Sequence, residues 1–414
     1  MAGKRIVFVS DELPVPGVAG HLALNHALLN FFLARGYDLV LLLSGAGLPA
    51  CAVKMSALFD PAHVEVRGPR LRTLGDYLVA TPVSAAGIMA RHALAWMPSD
   101  MRSLVRRLRQ PSHESIDAVL GRFVDPAFGE WAADQLVQLQ PDLVLYDTIF
   151  RAPVLADERA RGFRSVLIAH DVFHRRHAAL SARGLRLSPA RLTRDEEAQW
   201  LRNFDVVIAV QPEEQVILQG MVCSDQCVIT APMPITAVPR PRDIERESQR
   251  FVFVGSDSIH NVDGMRWFLR EVWPRITDRL PDARLDVCGS VGHALRDYTA
   301  KDVTLHGPVA DLSSVLHRAA CAIAPVLAGS GLKIKLLDYV AHGLSVVTTT
   351  IGVAGFERAT DWPFNVADDA DAFSREASRL GGDMEGIFTR EQAAIDYCSY
   401  YSPERTFGEL SHVL

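Results

Sequence analysis

The chain lacks any apolar run long enough to span a bilayer, so no membrane-embedded segment is expected. Its start, Met1-Ala2-Gly3-Lys4-Arg5, leads straight into an apolar run of strand length without a signal-peptide pattern, and a cytoplasmic location is the expectation. Basic charge is not in excess. The net charge is -6, which argues against general nucleic-acid binding. Cysteine is sparse: Cys51, Cys223, Cys227, Cys288, Cys321 and Cys398 are scattered, and only Cys223 and Cys227 are close. No histidine follows them at a zinc-like spacing, so they read as free thiols in a reducing compartment. The first Pro/Gly loop, Asp11 to Gly20, lacks G-x-G-x-x-G, and no acidic residue closes the strand that follows. Both absences count against a dehydrogenase dinucleotide fold.

What is present is a globular composition, 49% hydrophobic and 22% charged over 414 residues, enough for two domains of ordinary size. The most informative stretch runs from Ala319 to Phe356. Cys321 to Leu327 reads as a buried strand, and Ala328-Gly329-Ser330-Gly331 as a flexible loop. From Leu332 to His342 the apolar residues take helical spacing, through Leu332, Leu336, Leu337, Val340 and Ala341. Gly343 stands where a helix end favours positive φ, and Leu344 to Thr350 is a β-branched run. Strand, glycine loop, helix and strand make a βαβ unit with a parallel sheet.

The loop–helix junction carries the chemistry. Unpaired amides and the helix dipole make a helix start an anion site, and glycines let a ligand approach it. Lys335, expected one turn into the helix, adds a full charge. Asp338 shares its face and suits a pair of hydroxyls such as those of ribose. A nucleotide fits this pattern, with diphosphate on the loop and Lys335 and ribose on Asp338. A solvated Lys/Asp pair behind a structural glycine turn fits it too.

The same stretch resembles the donor-binding segment of GT-B glycosyltransferases of the family-4-like group. Gly329, Gly331, Lys335, Asp338, Ala341, Gly343, Val346, Val347, Gly352 and Gly355 take the places of that family's pattern. The family usually has Glu where Asp338 stands, and many members carry a further Glu near the place of Ser330. The resemblance implies an α/β fold with two Rossmann-like domains whose parallel sheets face across a cleft. It implies a nucleoside-diphosphate sugar held mainly by the second domain, through Gly329, Ser330, Gly331, Leu332, Lys335 and Asp338. After the strand ending at Gly255, Ser256 to Gly264 reads as a loop and Met265 to Leu280 as a helix, and in the resemblance Gly255, Ser256 and Asn261 match the opening of the family's second domain. Many relatives hold the diphosphate with an Arg and a Lys after that first strand. This chain has neither there, which places more weight on Lys335, with Lys333. Loops at Gly289 and Val309 would flank the base. The family retains anomeric configuration and needs no metal-binding Asp-x-Asp motif. None is read at a strand end here, so neither metal nor cofactor is expected.

The first half repeats the strand–loop–helix–strand order. Arg5 to Ser10 and Tyr37 to Ser44 read as strands flanking a helix from His21 to Arg35. In the resemblance its glycine-containing first loop faces the cleft, with Gly17 and Gly20 as candidates for close approach to the donor phosphates or the acceptor; glycines needed only for the turn are the alternative. Asp142 to Tyr146 and Arg164 to Ala169 are strands ending at Asp147 and at His170-Asp171, where parallel sheets gather ligands. The family commonly has a histidine at the second of these ends, facing the donor sugar, so His170 joins Lys335 as a candidate catalytic residue. Residues 75–130 read as a helical insert. Within it Ser99 to Gln110 is basic and amphipathic, through Arg102, Arg106, Arg107 and Arg109. Such a helix docks on an anionic membrane surface or is simply solvated with one buried face.

The expected organisation is a first domain over 1–235, a proline-rich linker over 236–250, a nucleotide-sugar domain over 251–395, and a last helix over 396–414 crossing back to the first domain. The expected activity is retaining, metal-independent transfer from a nucleotide sugar to a glycan, lipid-linked or small-molecule acceptor, as in polysaccharide biosynthesis. The expected location is the cytoplasm, or the inner face of the membrane if the basic helix docks there. A nucleotide-sugar epimerase on the same fold, and a non-catalytic binding subunit on a degenerate scaffold, are the alternatives.

Overall fold

A computed structural model of the chain describes residues 4–16, 19–96, 116–182, 184–298, 302–309, 311–328 and 332–410. It divides into two compact units, Met1–Ala231 with Glu409–Leu414, and Pro232–Gly408.

In the first unit the strands are β1 (Arg5–Glu12), β2 (Asp38–Gly47), β3 (Ala52–Lys54), β4 (Val64–Arg67), β5 (Leu71–Leu74) and β6 (Tyr77–Ala80). They continue with β7 (Ala118–Val119), β8 (Leu143–Asp147), β9 (Ser165–Ala169), β10 (Leu187–Ser188), β11 (Val206–Ala209) and β12 (Cys227–Thr230). Seven form one sheet in the order β12-β11-β9-β8-β1-β2-β4, and every pairing in it is parallel. Ile6, Val7, Phe8 and Val9 are wholly buried, because a central parallel strand is covered on both faces and takes a continuous apolar run. Helix Gly20–Leu33 joins β1 to β2 and buries Leu22, Asn25, Leu28, Leu29 and Phe32 against the sheet side of the unit.

One part of the first-half reading is corrected. The insert expected to be helical opens instead with β6, the middle strand of an antiparallel sheet, β3-β6-β5, whose other two strands precede it, and helix Pro82–Trp96 follows. The signal is Gly75-Asp76, a two-residue hairpin loop with Gly75 at φ +57°, flanked by Leu71-Arg72-Thr73-Leu74 and Tyr77-Leu78-Val79-Ala80. The basic segment Ser99 to Gln110 lies outside the described residues.

The second unit holds β13 (Arg250–Val254), β14 (Arg284–Cys288), β15 (Val303–Gly307), β16 (Cys321–Ala324), β17 (Val346–Thr348) and β18 (Phe364–Val366). They form one parallel sheet in the order β15-β14-β13-β16-β17-β18. Three boundaries differ from expectation. β16 stops at Ala324 because Pro325 has no N–H for the ladder. The helix after the glycine loop begins at Ile334, with Lys333 still non-helical at ψ 83°, so Lys335 sits in its first turn rather than one turn in. The helix after β13 begins at Ile259, not Met265, which moves Asn261 from a loop onto a helix.

That earlier start has a packing cause. Gly264 lies inside helix Ile259–Trp267, and a Cβ there would stand 2.0 Å from the Pro325 carbonyl oxygen. The helix therefore lies directly on the chain leaving β16. Gly264→Ala should lower the urea midpoint, by about 1–3 kcal/mol of overpacking strain. A gain in stability, as expected of an ordinary helical glycine, would contradict this contact.

Candidate functional site

In the second unit, the carboxyl ends of β13, β14 and β16 and the start of helix Ile334–Ala341 bring several predicted residues together. Gly255 and Gly289 meet backbone to backbone. Gly289 has φ +99°, and a Cβ on it would lie 2.1 Å from the Gly255 carbonyl oxygen. Glycine is required there by conformation and by space. The Asn261 side-chain amide donates to the Ser256 carbonyl at 3.0 Å, and its oxygen accepts from Lys335 Nζ at 2.6 Å. The Lys335 ammonium also stands 4.6 Å from the centroid of the Phe253 ring. Tyr339, four residues on, fixes the helix: its hydroxyl accepts from the Val254 N–H at 2.7 Å.

Lys335 is therefore held by an amide oxygen and an aromatic face, and among the described residues it has no carboxylate partner. Burial, with a smaller contribution from the Lys333 charge, brings its pKa down to about 7. An ammonium kept in this way has charge to give to an incoming anion. Asp338 is exposed on the same helix, yet the protein around it pushes its carboxyl up to about 6. Water at its exposed face offsets part of that push, so the group is ionised at neutral pH and able to accept hydrogen bonds. Val309 and Leu332 are both half-buried against the core cluster containing Leu336, Tyr339 and Val340. Gly329, Ser330 and Gly331 lie outside the described residues.

Among the described residues no group of three or more His, Cys, Asp or Glu could hold a metal ion. The one Asp-x-Asp spacing, Asp369-Ala370-Asp371, is committed elsewhere. Asp369 caps helix Ala370–Gly382 by accepting from the Asp371 and Ala372 N–H groups, and Asp371 pairs with Arg375 and Arg279.

In the first unit the strand ends converge on Asp147. The side chain is 3% exposed and accepts from Ser10 Oγ at 2.8 Å, Asn25 Nδ2 at 3.0 Å and His170 Nε2 at 2.9 Å. Burial alone would raise its pKa, but the His170 bond and charge, the His21 charge and the Asn25 amide hold the carboxyl well below the usual range. A carboxylate at Nε2 keeps a proton on that nitrogen, so in the neutral form of the ring Nδ1 is an acceptor rather than a donor. The loop after His170 is tied down by Glu197, which accepts from the Phe173 and His174 N–H groups at 2.9 and 2.8 Å. Gly20, expected in the loop, is the first residue of helix Gly20–Leu33. Ser10, Asn25 and His21 were not anticipated. In-register pairing of β1 with β8, Val9 opposite Tyr146, puts Ser10 beside Asp147 and would have found the first of them.

Two units, each with a wholly parallel sheet and with polar groups at its strand ends, define the GT-B class. Sucrose-phosphate synthase from Thermosynechococcus elongatus superposes with a TM-score of 0.65 at 14% identity, over 99% of this chain and 98% of that one. The Anabaena protein HepE, solved with UDP-glucose, gives 0.61 at 12% identity over the same shares. At these identities the likeness establishes the fold. Residues 248–383, within the second unit, match the family described as glycosyl transferases group 1. An uncharacterized 44.6 kDa protein in the cps region of Klebsiella pneumoniae is 24% identical over 147 residues. That match covers 33% of this chain and 38% of the relative, so the chain spans well under half of that relative's length.

Lys335→Met removes a cation that the fold must hold without a counter-ion. The folded pKa lies below the unfolded value of about 10.4, so the cost of the charge is full below pH 7 and fades as pH rises toward 10. The variant should melt a few degrees higher than wild type at pH 7, with the gain shrinking by pH 10. A lower melting temperature at pH 7 would show that Lys335 is a structural cation.

Proposed function

We propose that the protein transfers a sugar, with retention of anomeric configuration, from a nucleoside-diphosphate sugar to a hydroxyl-bearing acceptor. The observation that carries this reading is the uncompensated Lys335 ammonium in the first turn of its helix. A diphosphate supplies the missing negative charge. Asn261 holds Nζ in place, and Asp338, one turn further, accepts from the ribose hydroxyls. Amides of the Gly329–Gly331 loop, with Leu332 beside them, complete the anion site, and backbone groups at Gly255, Ser256, Gly289 and Val309 contact the rest of the nucleotide.

As the glycosidic bond to the diphosphate breaks, negative charge grows on the β-phosphate. Lys335 stabilises that charge more in the transition state than in the bound donor, so it contributes to turnover beyond binding. The departing phosphate oxygen takes the acceptor proton, and no protein base is required for that step. His170, oriented by Asp147, accepts from a sugar hydroxyl through Nδ1. In this reading Lys335 and the loop amides supply the positive charge, and no metal or cofactor is assigned. The acceptor is a glycan, a lipid-linked glycan or a small molecule, and the setting is polysaccharide biosynthesis in the cytoplasm. No helix among the described residues is long and apolar enough to cross a membrane. The six free thiols are consistent with a reducing compartment.

Calorimetry without added metal tests this reading, with UDP first because HepE was solved with UDP-glucose. One nucleoside diphosphate should bind, and Asp338→Ala should weaken it about ten- to a hundredfold, the loss of a charge-assisted hydrogen bond. Lys335→Ala should lower turnover more than it weakens the nucleotide. Affinity should fall as pH rises above about 7, where free Lys335 loses its proton. Unchanged binding and turnover in both variants would overturn the site, and interconversion of the donor sugar without an acceptor would favour an epimerase.

A further inference from the structure

Beside His170 and Asp147 the first unit holds another imidazole–carboxylate pair that the reaction above does not use. His21 Nε2 lies 3.5 Å from Glu12 Oε2, and the two side chains are 40% and 46% exposed. The His21 ring meets the His170 ring edge to face, with centroids 5.7 Å apart. The two pairs thus form one patch at the carboxyl ends of β1, β8 and β9. They differ in what they leave free. His170 and Asp147 are turned inward on each other, 9% and 3% exposed, while His21 and Glu12 face solvent.

The position of His21 is electrostatically unusual. It is the second residue of helix Gly20–Leu33, where the dipole disfavours a cation, and Ala19 supplies no side-chain cap. The groups facing it are Glu12 and Asp11 from β1, Asp147 from β8, and His170 beyond β9. Burial lowers its pKa, but Glu12, Asp147 and Asp11 outweigh burial and leave it above the ordinary histidine value. Asp11 is itself tied to the buried Arg151 at 3.2 Å, which leaves Glu12 as the open carboxylate. At 3.5 Å the His21–Glu12 contact is too long to saturate either partner, since a charge-assisted bond is about 2.7–2.9 Å.

An imidazole donor next to a carboxylate acceptor, both open to solvent and both under-bonded, matches two neighbouring hydroxyls. One donates to Glu12, and the other accepts from His21. We propose that His21 and Glu12 bind the acceptor through a vicinal diol, so that the acceptor is a saccharide or other polyol presented beside His170. This assignment rests on the glycosyl-transfer reading for its meaning, but its geometry belongs to the first unit alone.

The test is NMR of the full chain with 13C-labelled histidine, the His21 signal being identified as the one lost in His21→Gln. The probes are methyl glucoside, methyl mannoside and methyl galactoside, with a 3-deoxy counterpart of each, which has no vicinal diol. At least one diol-bearing glycoside should shift the His21 signal in a saturable way, and its 3-deoxy counterpart should bind about tenfold more weakly. Glu12→Gln should bring the His21 titration midpoint down and weaken the same glycoside about tenfold. His21→Phe, which keeps the ring packed on His170, should lose glycoside binding, and His21→Gln, which keeps a donor, should restore part of it. If no glycoside moves the His21 signal, or if His21→Phe binds glycoside like wild type, the assignment fails. Nucleotide calorimetry on the same samples separates the two ideas. Nucleotide binding without a glycoside response overturns the diol site alone, and a glycoside response without nucleotide binding overturns the donor site alone.

Discussion

A lysine ammonium held without a counter-ion is the constraint on which the second unit depends. Keeping it costs stability, because burial favours the neutral amine. The surrounding structure limits that cost without cancelling the charge. Asn261 gives an amide oxygen, Phe253 a ring face, and Tyr339 pins the helix to the end of β13. Gly255, Gly264 and Gly289 let the segments that carry these groups approach at backbone distance. A carboxylate in place of Asn261 would stabilise the unit and fill the anion site with the protein's own charge.

The first unit is organised on the opposite sign. Asp147 is a buried carboxylate with three side-chain donors, and it draws β1, β8, β9 and helix Gly20–Leu33 to one point. Its satisfied state makes it an orienting group rather than a reacting one. What it orients is His170, whose remaining ring nitrogen is then defined as an acceptor. Glu197 anchors the start of the following helix through the Phe173 and His174 N–H groups, so the segment that leaves the histidine is held as well as its ring.

The parallel strands and the βαβ order were legible because continuous apolar runs and helical spacing are strong signals in buried sheets. The glycine, lysine and aspartate of the 319–356 stretch stood out because the proposed phosphate site asks for such groups at close spacing. The short antiparallel sheet was missed because its hairpin carries only four residues a side and its strands are half exposed. Asn261 was recognised through resemblance alone; its bond to Lys335 spans 74 positions, which no local pattern reveals. His21 and Glu12 were invisible for the same reason, since their proximity depends on how helix Gly20–Leu33 returns past the end of β1.

The central claim is that Lys335 is kept as a cation for an incoming diphosphate. The chain has only five lysines, so ε-13C-lysine NMR can follow each one, with Lys335 assigned from Lys335→Arg. The account predicts a titration midpoint near 7 in the free protein. It predicts that saturating nucleoside diphosphate raises that midpoint by at least about one unit, as an anion within contact distance should. A free midpoint near the ordinary lysine value of about 10.4, or one that nucleotide leaves unmoved, would contradict it.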